Sequence, residues 1–270
     1  MKYSIIIPVH NKIELTTQCL DDCFNSGLSN FECIVIDNAS SDSTASVLAS
    51  RPENIITISN KINLGCAKSW NQGVKASTGR WVIVLNNDVR LPKNWLSKMI
   101  SAAEGYKFDL ISPAMREGIL NYNLTEYAEE FIHSMRNISR RGAANGACFA
   151  VKREVFDKIG LFDENFQIGQ YEDADFFRRC KLHKISIGIT GRSFIHHYGS
   201  STQRLVQETS TNYPKINQLY HRKKWNIGFF KRHLERYKEQ FIVKCWSYFE
   251  YYSKGHSLLE KFQNGRLHYH

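Results

Sequence analysis

From Tyr3 to Ile100 the chain alternates β-branched runs with segments of helical period, and this alternation most narrows what it can fold into. Tyr3 to Val9 reads as a strand ended by Pro8-Val9-His10-Asn11. Ile13, Leu15, Cys19, Leu20, Cys23 and Phe24 then fall at helical spacing, and Gly27 stops them. Glu32 to Ile36 is a second strand, followed by a short helix that Ser41 or Asp42 can cap. Ile55 to Ile58, a helix over Ala67 to Ala76, and the run Trp81-Val82-Ile83-Val84-Leu85 continue the pattern. Strand–helix alternation predicts parallel strands joined by crossover helices. Strands apolar along their whole length fit a sheet covered on both faces. The expected class is therefore α/β, with a Rossmann-like, mostly parallel central sheet flanked by helices.

Further on, Pro92 is placed to open a helix carrying Trp95, Leu96, Met99 and Ile100. Leu110 to Ser112 and Ala147 to Val151 read as strands, and Arg153 to Ile159 as a helix stopped by Gly160. Two short strands, Ile185 to Ile189 and Ser193 to His197, close the pattern. Residues 116–142 are polar and irregular, with Arg136, Arg140 and Arg141, and read as a mobile insertion.

Polar residues crowd the strand ends. Asn86-Asn87-Asp88 directly follows a buried run, either as a turn or as a site, because ligands of open α/β sheets bind beyond the carboxyl ends of the strands. Asp37 and His196-His197 hold equivalent places. A carboxylate and an imidazole suit a shared divalent cation. Adjacent strand residues face opposite ways, so one histidine at most faces such a site. Glu172, Asp173 and Asp175 open a helix, where a carboxylate also favours the helix dipole; for Asp175 the helix-capping role is preferred.

The net charge of +10 and pI near 9.2 favour an anionic partner: a phosphorylated ligand, an acidic glycan, a membrane surface or nucleic acid. Seven scattered cysteines without a pairing framework fit a reducing compartment. The first apolar run is too short for a secretory signal, and none approaches the roughly 20 residues that span a bilayer. The expected location is cytoplasmic, or peripheral at the cytosolic face of a membrane.

Taken in order, the motifs resemble glycosyltransferase family 2, the inverting nucleotide-sugar enzymes of GT-A fold, in a rhamnosyltransferase-like branch. SIIIPVHN resembles the opening strand that borders the nucleotide base, and VIDNASSDST the second strand end, whose first Asp contacts it. NLGCAKSWNQG matches N-x-G-x-x-x-x-x-N-x-G, and LNND stands where the family keeps a metal-binding D-x-D, with Asn86 replacing the first acid. GACFAVKREVFDKIGLFDENF resembles the acceptor-side segment, YEDADFFRRC the catalytic-base segment, and FIHHYGSST the late H-x-x-G-x-S segment, whose spacing selects His196 over His197.

The resemblance implies nucleotide-sugar contacts from Pro8, Val9, His10, Asn11, Asp37, Asn38, Asn63, Gly65, Lys68, Asn71, Asn86, Asn87 and Asp88. It implies acceptor contacts at Asn145, Gly146 and Ala147. Metal ligation, of Mn2+ or Mg2+, falls to Asp88 with His196 or His197. Asp173 is the implied general base, with Glu172 its rival. The implied reaction moves a sugar from a nucleotide diphosphate, UDP before dTDP or GDP, to a glycan or lipid-linked glycan. A binding module without turnover is the alternative that Asn86 keeps open.

The expected catalytic domain is 1–222, followed by a basic, aromatic, helical extension over 223–270. The extension holds ten Lys and Arg against four Glu, an excess of six. Phe230, Leu234, Tyr237, Phe241, Cys245, Tyr248 and Tyr252 recur at helical spacing. Such a helix packs on the domain or another subunit, or rests on an anionic membrane with Trp225 and Trp246 near the headgroups. No nucleic-acid module is recognisable, so nucleic acid is not an expected partner.

Overall fold

The computed structural model describes residues 3–199 and 212–270. Its first half follows the expected alternation: β1 (Tyr3–Val9), α1 (Ile13–Phe24), β2 (Phe31–Asn38), α2 (Thr44–Ser50), β3 (Ile55–Asn60), α3 (Cys66–Ala76) and β4 (Trp81–Leu85). β1 pairs in parallel with β2 and β4, and β2 with β3. All five residues of β4 are buried, as a central strand covered on both faces requires. One apolar layer packs α1 and α4 (Trp95–Tyr106) on the sheet through Leu20, Cys23, Trp95 and Met99. The other packs α3, α6 (Arg153–Ile159) and α7 (Glu172–Leu182) through Trp70, Phe156 and Phe176.

After β4 the sheet becomes mixed. A two-residue β5 (Val89–Arg90) follows, and β8 (Cys148–Lys152) runs antiparallel between β4 and β6 (Leu110–Glu117). The two expected strands near 185–197 are one, β9 (Ile187–His197), parallel to β6. Its register shifts opposite Pro113 and Ala114, where Pro113 has no N–H for the ladder. The expected gap is thus a bulge. Pro92 does not open α4; Asn94, at φ 61, occupies the cap position before Trp95.

Residues 116–142 are not a mobile insertion. They hold α5 (Leu124–Met135), capped by the Asn123 side chain on the N–H groups of Thr125 and Glu126, and β7 (Ser139–Arg141), paired with β9. Phe131 and Met135 are fully buried on Phe194 and Leu258. Arg140 is buried and gives two hydrogen bonds, of 2.8 and 2.7 Å, to Glu250. The partner that orders this segment lies more than a hundred positions away.

The C-terminal part is α8 (Tyr213–Lys224), α9 (Phe229–Lys254) and a hairpin, β10 (Leu259–Gln263) and β11 (Arg266–Tyr269). The extension is thus helical only in part. β10 pairs in parallel with β6, so the end of the chain extends the central sheet. Among the described residues no helix is long and apolar enough to cross a membrane.

Candidate active site

The ends of β1 and β2 are tied by their own polar side chains. His10 Nδ1 lies 2.9 Å from the Asn38 carbonyl, and the Asn11 side-chain oxygen accepts from the N–H of Ser41 at 2.7 Å. Asp37 accepts from the Ser40 N–H at 2.9 Å. Asn38 gives an N–H to Asn63 Oδ1 at 2.6 Å and accepts from Leu64 N. Asn63 also accepts from Gly65 N at 3.0 Å, which turns the chain into α3. Lys68 stands half-buried in the first turn of α3. Pro8 and Val9 close β1 beside them, with Val9 buried.

Some expected contact residues have their side chains committed to the fold. Asn71 is buried and pairs with both backbone groups of Phe162, at 2.9 and 3.0 Å. Asn87 donates to Thr16 Oγ1 at 2.9 Å. Asn145 accepts from Cys148 N and donates to the Pro113 carbonyl. Asn86 is half-buried, its N–H on the Ala147 carbonyl at 2.9 Å, which sets the end of β4 against the start of β8.

Asp88 follows, 4% exposed. Strand β5 pairs Val89 with His197, and the Tyr198 N–H donates to the Asp88 carbonyl, so β9 is held beside Asp88. It is His197, not His196, that meets the carboxylate: Nε2 lies 3.2 Å from Asp88 Oδ1. His196 points to the other face, with Nδ1 2.8 Å from the Tyr122 hydroxyl. Strand alternation puts the two rings on opposite faces, and the one beside Asp88 differs from the one the motif spacing selects. Burial and then its neighbours His197 and Arg116 lower the His196 pKa to about 4. Burial also opposes charge on His197, but Asp88 and Glu117 outweigh it and raise its pKa to about 9.

Asp88 and His197 are a donor set that suits a divalent cation: buried His197 turns Nε2 to the Asp88 carboxylate at 3.2 Å, and a cation between them would take the place of the imidazolium proton. Behind it, Glu117 Oε2 lies 3.8 Å from Nδ1, the outer carboxylate that metal-binding imidazoles commonly have. No group of three His, Cys, Asp or Glu side chains among the described residues is arranged to hold a metal alone. Mg2+-type sites often take one or two protein carboxylates and complete their shell with substrate phosphates and water.

The acids at the start of α7 approach from the other side. Asp173 is half-buried, and its carboxylate fills the space over the Gly146 α-carbon, where a Cβ would collide with Oδ2. Glu172 is 4% exposed and its Oε2 has no hydrogen bond. Burial raises the pKa of both, and for Glu172 the Asp173 charge adds to it. Two such neighbours share their titration, so one holds its proton more firmly than a free carboxylate does. Burial pushes the Cys66 thiol up, and the charges of Glu172, Asp173 and Asp88 push it further. Asp175 is fully buried and bound by Trp225 Nε1 at 2.9 Å, Arg179 at 3.0 Å and Lys224 at 2.7 Å. It joins helices, and the Trp225 indole N–H is tied to α7 through it.

Sequence reasoning missed Glu117, Cys66 and Asn217. Cys66 lies inside a quoted motif but reads as a small apolar residue. Glu117 and Asn217 fall in segments with no pattern, and only the strand register and the loop path bring them in.

The chain belongs to the family described as Glycosyl transferase family 2, which matches residues 4–160. It is 24% identical over 174 residues to Glycosyltransferase AglE of Haloferax volcanii, covering 62% of this chain and 57% of that protein. It is 31% identical over 94 residues to the poly(ribitol-phosphate) beta-glucosyltransferase of Bacillus spizizenii, covering 33% of this chain and 15% of that one. Among solved structures it resembles S. aureus TarS 1-349, with TM-score 0.59 and 17% identity over 74% of this chain and 61% of that chain. It resembles GalNAc-T7, solved with UDP, GalNAc and Mn2+, with TM-score 0.59 and 15% identity over 73% and 44%. The fold is GT-A, and the general activity of the class is transfer of a sugar from a nucleotide-sugar donor to an acceptor.

Proposed function

We propose that the protein is an inverting, metal-dependent glycosyltransferase that moves a sugar from a UDP-sugar, or next a dTDP- or GDP-sugar, to a hydroxyl of a glycan or lipid-linked glycan. The product belongs to cell-surface polysaccharide or glycolipid, and a rhamnosyltransferase-like branch is the proposed subdivision. The observation that carries this is the seating of Asp173 on Gly146, next to the Ala147 carbonyl that holds the Asn86 N–H, two residues before the Asp88 that pairs with His197.

The donor lies along the β1, β2 and β4 ends, with its base against His10 to Asn11 and Asp37 to Asn38. Asp88 and His197 would hold a divalent cation, which when bound would supply Lewis-acid stabilisation of charge on the diphosphate. Asp173 takes the proton from the acceptor hydroxyl as that oxygen attacks the anomeric carbon. A positioned base of this kind contributes about 10²–10⁴-fold. Attack opposite the leaving group inverts the centre. Glu172 is more deeply buried, which leaves half-buried Asp173 as the carboxylate an acceptor hydroxyl can reach. Catalysis is cytoplasmic, at a membrane surface that α9 contacts, where lipid-linked acceptors are found.

Asn86 in place of an acid favours a second reading: a module of the same fold that binds nucleotide sugar or glycan without turnover. One panel separates them. UDP, dTDP, GDP and CDP are each tested for thermal stabilisation with and without Mn2+. Ligand at a hundred times its dissociation constant adds about 2.7 kcal/mol of apparent stability. Metal-dependent stabilisation by one nucleotide, with transfer that Asp173→Asn abolishes, is the expected result. Stabilisation without transfer by the wild type supports the binding module, and no stabilisation by any nucleotide, with or without acceptor, overturns the transferase reading and leaves a glycan-binding module.

A further inference from the structure

Asn217 lies on α8, beyond the segment that the family matches, and its side chain is fully buried. Its oxygen accepts from the Gln167 N–H at 2.9 Å. Its amide donates to the carbonyls of Gln167 at 2.8 Å, Gly169 at 2.8 Å and Gln170 at 3.2 Å. One side chain thus serves four backbone groups of a single loop, the one that leads into Glu172 and Asp173.

That loop is strained. Ile168, Gln170 and Tyr171 have φ of 53, 75 and 77°. Residues other than glycine avoid this region, β-branched ones most of all, and such conformations persist where the surroundings over-determine them. Here they do so from two sides. On one, the Cys66 N–H donates to the Ile168 carbonyl at 2.6 Å, and Gly65 leaves room for the Ile168 backbone, which a Cβ would approach to 2.7 Å. On the other stand Asn217 and its neighbour Gln218, which donates to the Tyr171 hydroxyl at 3.1 Å. Tyr171 also starts α7, since its carbonyl accepts the Asp175 N–H at 2.9 Å. The path of the loop therefore sets the direction in which the first turn of α7 presents its acids.

We propose that Asn217 is a positioning residue: by templating the backbone of 167–170 it keeps Asp173 seated on Gly146. This rests on the reading of Asp173 as the base. Asn217 touches no reacting atom and acts through the loop alone. A buried amide suits the task because it offers both an acceptor and two N–H donors in one rigid plane. A segment outside the family's matched region thereby becomes part of the site.

The test uses the full chain with Asn217→Ala, Asn217→Asp and Asp173→Asn. The Asp variant keeps the volume and the acceptor but loses the donors. Hydrogen exchange is followed by mass spectrometry over residues 166–173, with 3–9 and 81–85 as references. Stabilisation by UDP with Mn2+ is measured alongside, together with UDP release from UDP-glucose and UDP-N-acetylglucosamine. Both Asn217 variants are expected to exchange at least about tenfold faster over 166–173, with the reference strands unchanged and UDP–Mn2+ stabilisation retained. Turnover should show kcat lowered about tenfold or more, as a small misplacement of a catalytic group does, with donor KM within about twofold. Wild-type protection over 166–173, or faster exchange shared equally by the reference strands, overturns the proposal. Asp173→Asn turning over at the wild-type rate overturns the base assignment instead, and does so without changing the exchange result.

Discussion

The carboxylate of Asp173 rests where a side chain on Gly146 would have to go. A methyl group there collides with Oδ2 and must push the acid aside, and the damage falls on catalysis before stability. Gly146→Ala is expected to lower turnover about 10²-fold, the scale of a displacement of about 1 Å. The melting temperature should change by only a few degrees, because Gly146 is absent from the positions with positive φ. Parallel turnover and melting measurements check this, and full activity in Gly146→Ala would show that Asp173 works from another position.

His197 and His196 are adjacent, yet only the first reaches Asp88. Asp88→Asn and His197→Gln should each abolish the Mn2+ dependence of nucleotide stabilisation. His196→Gln should retain it while losing some stability through the lost Tyr122 contact. Calorimetric titration of Mn2+ into the three variants decides the matter. Metal binding lost equally from His196→Gln would reverse the assignment.

How legible this was in the sequence depended on the range of the interactions involved. The strands and helices of the first hundred residues follow local apolar periodicity, and so do the polar strand ends at Asp37 and Asp88. The choice of His197 needed the pairing of β5 with β9, which no local spacing encodes. The order of 116–142 depends on a buried Arg140–Glu250 pair spanning more than a hundred residues. The sheet position of 259–269 was equally hidden, because Leu259, Phe262 and Leu267 make too short a pattern to be told from the basic tail around them.

Arg140 and Glu250 are 4% and 0% exposed and joined at 2.7 Å. Ser257 Oγ and the Leu258 N–H also donate to Glu250, so the carboxylate is well satisfied. Removing one partner of a buried pair leaves an uncompensated charge and costs about 3–5 kcal/mol. Arg140→Met should therefore lose about that much in urea unfolding. Arg140→Met combined with Glu250→Gln should recover part of it. A loss under about 1 kcal/mol for the single variant would mean that the pair is solvated in solution.

Asp163 anchors α8 through Lys224 at 2.6 Å and Tyr220 at 2.8 Å. Burial works against its charge, but Lys224, Asn165 and Tyr220 outweigh this and hold its pKa down to about 2, below the ordinary 3.8. A lowered carboxylate pKa contributes stability that is present above pH 3.8 and lost as pH falls through 2. After allowance for solvent screening, that contribution is about 1 kcal/mol. Asp163→Asn should be less stable than the wild type at pH 7 by this amount. The gap should close between about pH 4 and 2, as followed by urea melts across that range. A gap independent of pH would assign the loss to packing rather than charge.

Helix α9 leaves an unusual surface open. Leu234, Tyr237, Phe241, Ile242, Tyr248, Phe249 and Tyr252 are each more than half exposed, while Ser247 and Glu250 are buried against the body. Over 26 residues, about 39 Å at 1.5 Å each, the helix thus turns its apolar residues outward. Lys238 and Lys244 stand among them, and Glu250, one of the few acids, is already neutralised by Arg140. An apolar strip with basic neighbours suits an anionic bilayer, where each large side chain buried contributes about 1.5–3 kcal/mol. The full chain should float with phosphatidylglycerol vesicles and less well with neutral ones, and added salt should weaken the binding. Phe241→Ser with Phe249→Ser should abolish flotation without changing UDP–Mn2+ stabilisation. If the wild type ignores vesicles but sediments as a dimer that the same double variant dissociates, the strip is covered by a second copy of the chain instead.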